Sequence, residues 1–193
     1  ISDLTHTVAG KASGEVEEIS VADNFDSKND NLWVYNSYQT VPFNDAGNNV
    51  VKNTGTGGSW DANFYRKNTI NDKTISVRFK VDSTGTIAHF SVETGEAGYQ
   101  RFGAIAEDVI YAQIFTGGDW IYPKTLINPV EINTWYIINI KVNSDGNSYV
   151  KVYKESTPSI FGEYSHKMAP NLNWIFHHWS YRDNAYLDNY VEI

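Results

Sequence analysis

The chain is 193 residues long, 41% hydrophobic and 20% charged, which suits one globular domain. Its formal net charge of −8 argues against phosphate-backbone binding, which needs a basic footprint, so nucleic acid is not an expected partner. With no cysteine, disulfides, thiolate zinc sites and a cysteine nucleophile are excluded, and no run of 18 apolar residues is present to form a membrane helix.

In chain order, residues 1–21 are small and polar with little periodicity, and read as a leader, a linker or an edge strand. Residues 22–193 then read as a single domain. An Asp-rich turn around Asp23-Asn24-Phe25-Asp26 leads to a short strand at Leu32–Tyr35. The segment 41–59, with its Asn-Asp-Ala-Gly and Thr-Gly-Thr-Gly-Gly runs, is turn chemistry around Asn49–Lys52. Thr74–Asp82 alternates, with Ile75, Val77, Phe79 and Val81 on one face, and Asp82–Gly85 reads as a hairpin turn into Thr86–Glu93. Strands at Tyr99–Ala106 and Val109–Phe115 follow, then a Gly-Gly-Asp turn into Trp120–Tyr122. Trp135–Val142 and Ser148–Tyr153 form a second predicted hairpin, 154–172 reads as loop, and strands near Trp174–Ser180 and 185–193 close the chain. Helical periodicity is absent. Ten to twelve short strands with frequent turns predict an all-β antiparallel sandwich.

The aromatic share is 15%, comprising 13 Tyr, 9 Phe and 6 Trp. Flat aromatics stack on the apolar faces of sugar rings, while amides, carboxylates and arginines bind the hydroxyls. Three groups fit that chemistry. Trp60 follows a Gly-Gly-Ser turn, with Asn63 and Tyr65 alternating with it. Trp120 follows Gly117-Gly118-Asp119, with Tyr122 beside it. Trp179, Tyr181 and Arg182 form the third, with His177 or His178 able to join them. Burial in the core is the competing role for each indole. His177 and His178 are adjacent, and neighbours on a strand point to opposite faces, so they do not share one metal ion. The hard-oxygen candidates for a divalent cation are Asp23, Asp26, Asp30, Asp183 and Asp188.

The order of pieces, from Asp23-Asn24-Phe25-Asp26…Trp33 through Thr-Ile-Ser-Val-Arg-Phe-Lys-Val-Asp and Asn133-Thr134-Trp135-Tyr136 to the closing Ala-Tyr-Leu-Asp-Asn-Tyr-Val-Glu-Ile, resembles the concanavalin A-like lectin/glucanase superfamily, in particular laminin-G-like jelly-roll modules that accompany polysaccharide-degrading enzymes. The resemblance implies a jelly-roll sandwich over residues 22–193 and carbohydrate binding on a sheet face or loop rim. It also implies a structural Ca²⁺ near the chain termini, at the matching positions Asp23, Asp26 and Asp188; turn capping by Asp23 and Asp26, and an Asp188–Arg182 pair, are the alternatives. The position of Trp135 matches a packing residue of such modules.

Catalytic signatures are weak. The alternating Glu-x-Asp-x-(x)-Glu of sandwich glucanases is missing, with only Glu15-Val-Glu17-Glu18 and Glu93…Glu96 in its stead. Gln113-Ile114-Phe115 resembles a Gln-Ile-His motif of sandwich alginate lyases with Phe in place of His. His89, Arg78, Arg101, Tyr111 and Gln113 would be the material for a lyase cleft, although His89 also suits an ordinary strand position. The expected function is therefore a non-catalytic polysaccharide-binding module that carries calcium. An isoleucine at position 1, the single Met168 and an Asn-, Thr- and Ser-rich composition point to a processed or excised module of an exported or cell-surface protein, within a larger multidomain protein or assembly. The rival readings are a polysaccharide lyase or glycoside hydrolase of the same fold, and a structural subunit of an extracellular fibre, coat or phage tail.

Overall fold

A computed structural model describes residues 20–36, 39–56, 62–94 and 99–193. Residues 1–19 of the expected leader, with its Glu15–Glu18 cluster, Trp60 and Glu96 lie outside these described residues, whereas Val21 at its end begins the first strand. All regular structure among them is β, in fifteen strands, and every pairing is antiparallel. They are β1 (Val21–Asp23), β2 (Trp33–Tyr35), β3 (Thr40–Asp45), β4 (Asn48–Thr56), β5 (Ala62–Arg66), β6 (Thr74–Val81), β7 (Ile87–Thr94), β8 (Gln100–Ala106), β9 (Ile110–Thr116), β10 (Trp120–Ile121), β11 (Thr125–Ile127), β12 (Tyr136–Val142), β13 (Asn147–Lys154), β14 (Thr157–Lys167) and β15 (Trp174–Glu192).

The long closing strand β15 joins the two layers of the sandwich. Residues 174–182 pair with β7 and residues 177–180 with β5, which builds one layer in the order β10-β9-β8-β7-β15-β5-β2. Residues 182–187 pair with β4 and residues 185–192 with β6, which builds the other around β14-β13-β12-β6-β15-β4-β3. The bends that carry β15 across are local. The register shifts at Ser180/Arg182 and at Asp188/Val191, and Asp183 and Asn189 adopt φ of 57° and 48°. Asp and Asn tolerate this left-handed region better than other side-chain-bearing residues, and an irregular residue of this kind bends a strand.

The core lies between the layers and takes one face of each central strand. Ile75, Val77, Phe79 and Val81 of β6 and Tyr136, Ile138, Ile140 and Val142 of β12 meet Ala88, Phe90 and Val92 of β7 and Phe102, Ala104 and Ala106 of β8. The Phe79 and Phe90 rings lie 4.2 Å apart. At the far side, a Cβ on Gly162 of β14 would lie 2.0 Å from the Leu126 carbonyl oxygen of β11, so a side chain there would push these ends of the layers apart.

Segment 41–56, expected as turn chemistry around a short run, is the β3–β4 hairpin, whose turn is confined to Ala46-Gly47. Three further expectations need correction. First, β6 and β7 are not a hairpin: β15 lies between them, and the turn at Asp82–Thr86 crosses between layers instead. Alternation identifies a strand but not its neighbour, and a tight turn serves an interlayer connection as well as a hairpin. Second, 154–172 is not loop throughout, because β14 spans Thr157–Lys167. It is an edge strand exposed along most of its length, so it lacks the apolar alternation that marks a strand. Third, the two closing strands are one. The Trp135–Val142 and Ser148–Tyr153 hairpin is present as expected, in register from Tyr136↔Lys154 to Val142↔Ser148.

Candidate functional site

Period 2 places one face of each strand on the core and the other away from it. In β7, β8, β9 and the first half of β15 the second face carries His89, Ser91 and Glu93, then Arg101 and Gly103, then Tyr111 and Gln113, then His177 and Trp179. A simple sandwich would leave this face wet. Here His89, Ser91, Glu93, Arg101, Gln113 and Trp179 are all buried, Ser91 and Gln113 completely. Trp120 is one reason. It belongs to β10, three strands from β7, which is about 14 Å across a flat sheet. Its ring nevertheless lies 5.8 Å from that of His89 and 4.8 Å from Phe115, with the Arg101 guanidinium 5.0 Å away. The layer therefore curls, and the indole leans over the recessed face.

Within the recess, polar groups are tied in pairs. The Glu93 carboxylate accepts from Tyr99 Oη (2.5 Å), Arg101 Nη2 (2.6 Å) and His177 Nδ1 (2.5 Å). His89 Nδ1 donates to Gln113 Oε1 at 2.8 Å. Burial holds the His89 imidazole near pKa 3, against the opposing hydrogen bond to Gln113 and assisted by the charge of Arg101, so the ring is neutral at physiological pH. Burial also pulls the Arg101 guanidinium down to about 10, against the Glu93 charge, and leaves it protonated. Neutral His89 stacks on Trp179 at 4.6 Å and 1°, and Arg101 sits 3.5 Å from the same ring centroid.

The cluster is not closed. Ser91 Oγ, Arg101 Nε, Gln113 Nε2 and His177 Nε2 are buried without a hydrogen-bond partner. Each such atom costs about 1–3 kcal/mol in lost solvation, so four together on one face are expensive for a purely structural site.

A second buried polar cluster, at the other end of β15, is complete. Glu192 accepts from Arg66 Nε (2.5 Å), Lys73 Nζ (2.8 Å) and Tyr190 Oη (3.0 Å). Arg66 also donates to the Leu32 carbonyl at 3.1 Å. Beside it Asp23 accepts from the Phe25 amide and from Trp33 Nε1, both at 2.8 Å. None of these buried side chains has an unpartnered polar atom.

The sequence-derived sugar contacts distribute as follows. Asn63 and Tyr65 lie on β5 beside Trp179 and His177 and extend the recessed face, with the Tyr65 and His177 rings 5.6 Å apart. Trp120 is 41% exposed at its rim, and Tyr122, 6.2 Å from Tyr111, is exposed beyond it. Trp179 is buried, its ring occupied by His89 and Arg101, so it forms a wall rather than an open platform. Tyr181 is half-buried and Arg182 exposed where β15 bends between layers. His177 faces the recess, whereas His178 is buried in the core against Phe64 and Phe90, as the period of a strand requires. The residues that sequence reasoning underweighted are Ser91 and Glu93. Their signal was positional: Glu93 and Arg101 are cross-strand partners, as are Ser91 and Gly103, and Gly103 is in turn paired with Gln113.

The acids expected to hold calcium are engaged separately. Asp23 caps the turn and anchors Trp33, Asp26 accepts from Asn24 Nδ2 at 2.5 Å, and Asp188 pairs with Arg78 at 2.9 Å and accepts from Asn48 at 2.8 Å. Among the described residues no three His, Cys, Asp or Glu side chains gather as a metal-ligand group. The Asp188 partner is Arg78 rather than Arg182. Trp135 packs under the Arg78 guanidinium at 3.9 Å.

No family model matches the chain, and no curated protein does. Solved structures do. A GH16 from a Bacteroides ovatus mixed-linkage glucan utilisation locus, solved with a G4G4G3G product, aligns with TM-score 0.67 over 90% of this chain and 99% of that one, at 9% identity. An endo-β-1,4-glucuronan lyase from the fungus Trichoderma reesei aligns with TM-score 0.59 at 9% identity, over 91% and 95% of the two chains. A prokaryotic β-1,3-1,4-glucanase (lichenase) from a mouse hindgut metagenome aligns with TM-score 0.58 at 10% identity, over 89% and 97%. The protein has the concanavalin A-like jelly-roll fold.

Proposed function

We propose that the protein binds polysaccharide on the recessed face of β7, β8, β9 and β15. The observation that carries this reading is the set of buried, unpartnered polar atoms at Ser91, Arg101, Gln113 and His177, overhung by the half-exposed indole of Trp120. Unpartnered groups become satisfied when a polyhydroxylated ligand bonds them, and the indole supplies the apolar stacking surface. The solved structures of the same fold include proteins that act on glucans and glucuronan, which supports a carbohydrate ligand. Such a ligand fits an exported or cell-surface protein.

A competing surface tests the placement. The outer face of β12, β13 and β14 has a groove of about 570 Å³ lined by Lys141, Asn147, Tyr149, His166 and Lys167. Retardation of the protein in native gels cast with polysaccharides should be weakened by Trp120→Ala and unaffected by Tyr149→Ala. The reverse pattern moves the site to the groove.

One observation favours a second reading, a lyase. Glu93 holds the His177 ring through Nδ1 and also accepts from Arg101, which sets beside each other the imidazole and the cation that a lyase acting on a uronate would use. Hydrolysis by two carboxylates has less support, since among the described residues Glu93 is the one acid on these strands of the recessed face and its oxygens are already bonded. Release of ultraviolet-absorbing unsaturated uronates, abolished by His177→Ala, would establish the lyase. Binding without such release keeps the module non-catalytic.

A further inference from the structure

We infer that the recess recognises a carboxylate, so that its ligand is an acidic polysaccharide rather than a neutral glucan; this rests on the proposed polysaccharide binding at the same face. The inference follows from counting donors and acceptors. A neutral sugar offers hydroxyls, which donate and accept alike and so call on acceptors in the protein as well as donors. Glu93 would be the natural acceptor, but it already accepts three hydrogen bonds within the protein. The groups left over are weighted the other way. Arg101 Nε–H and the Gln113 amide Nε2 can only donate, Ser91 Oγ–H can donate, and His177 Nε2 is left as an acceptor for one hydroxyl. A donor-rich, water-poor recess with a guanidinium is matched by an acceptor-only group, and charge assistance makes such bonds roughly twice as strong as neutral ones.

The backbone brings these donors together. Ser91, Gly103 and Gln113 form one cross-strand row, and Arg101 follows on the same face of β8, about 6.6 Å from Gly103 along the strand. Gly103 contributes no side chain at the middle of the row. A Cβ there would lie 2.2 Å from the Phe90 carbonyl oxygen, so no other residue fits without displacing β7. The missing side chain lets β7, with Ser91, pack close over β8, and so gathers the Ser91, Arg101 and Gln113 donors on one face. The neutral state of His89 matters too, because its Nδ1–H holds Gln113 Oε1 and thereby turns the amide nitrogen to the free position.

The test compares polymers that differ only in the carboxyl group. Polyglucuronate, polygalacturonate and alginate, each beside its carboxyl-reduced form, are cast into native gels and supplied as oligomers for calorimetry. The structure predicts that wild type binds at least one acidic polymer about tenfold or more tightly than its reduced partner. Gln113→Glu, which keeps the oxygen facing His89 but adds a like charge, should abolish that preference. Arg101→Lys, which keeps the charge opposite Glu93 but removes Nε, should reduce it, with thermal melts confirming that each variant is folded. Equal binding of acidic and reduced forms, or binding of neutral glucans alone, overturns the carboxylate inference and leaves polysaccharide binding standing. Binding of no polymer overturns both.

Discussion

The two buried polar clusters on β15 are built from the same residue types yet end differently. At the Glu192 end a carboxylate takes three donors and every buried side-chain polar atom is matched, whereas at the Glu93 end a carboxylate also takes three donors but four neighbouring polar atoms are left over. Folding alone favours the first arrangement. The second carries leftovers, and the difference is the one expected between a clasp that fastens the end of β15 and the binding surface proposed above.

The largest effect expected from this contrast is on stability. Glu192→Gln should strand the buried Arg66 guanidinium and cost about 3–5 kcal/mol, read as a fall in the denaturant midpoint. Ser91→Ala should do the opposite of a normal buried polar deletion: it removes an unmatched hydroxyl and should leave the midpoint unchanged or slightly raised, while weakening polysaccharide binding. A clear loss of stability in Ser91→Ala would break the comparison.

Acid should separate the clusters by pH. His89 is held at about pKa 3 chiefly by burial, and His178 is likewise held well below its ordinary value of 6.5. Because the unfolded chain takes up these protons first, stability should fall as pH drops below about 6.5, at up to ~1.4 kcal/mol per pH unit for each ring. For Glu192, burial would raise the carboxyl, but hydrogen bonds and charge from Lys73 and Arg66 outweigh it and lower the pKa below 4.5. Its stabilisation is present above 4.5 and is lost only as pH falls below that value. Urea midpoints at successive pH values should show the histidine loss first, reduced in His89→Gln, and the Glu192 loss later.

Trp120→Ala should reduce affinity by about 1–3 kcal/mol if nucleobase stacking is a fair guide, with a smaller effect on stability because the ring is half-exposed. The smallest expected effect is that of EGTA. With Asp23 and Asp188 each bonded inside the protein, chelation should leave the melting temperature where it was; a drop of several degrees would show a calcium site that these side chains do not form as placed.

Much of the fold was legible because burial imposes a period. Thr74–Val81 and Tyr136–Val142 each turn one apolar row to the core, and alternation marks them. Thr157–Lys167 buries almost nothing and escaped notice, and the pairing of β15 between β6 and β7 is a long-range choice that local turn chemistry does not encode. The site was half legible. His89, Arg101 and Gln113 were suspected from their chemistry, and Trp120 from its turn. Ser91 and Glu93 gain meaning only from register, which places them beside Gly103 and Arg101. Trp179 was expected as an open stacking platform, but an indole clamped by a histidine and an arginine presents little open face.

The account is tested most directly by the indole N–H signals in a nitrogen-15-labelled sample titrated with oligosaccharides of whichever polymer retards the protein. Binding at the recess predicts shifts for Trp120 and Trp179 and none for Trp33, whose Nε1–H is held by Asp23 in the closed cluster. Unmoved Trp120 and Trp179 signals under saturating ligand, or a shift centred on Trp33, would contradict it.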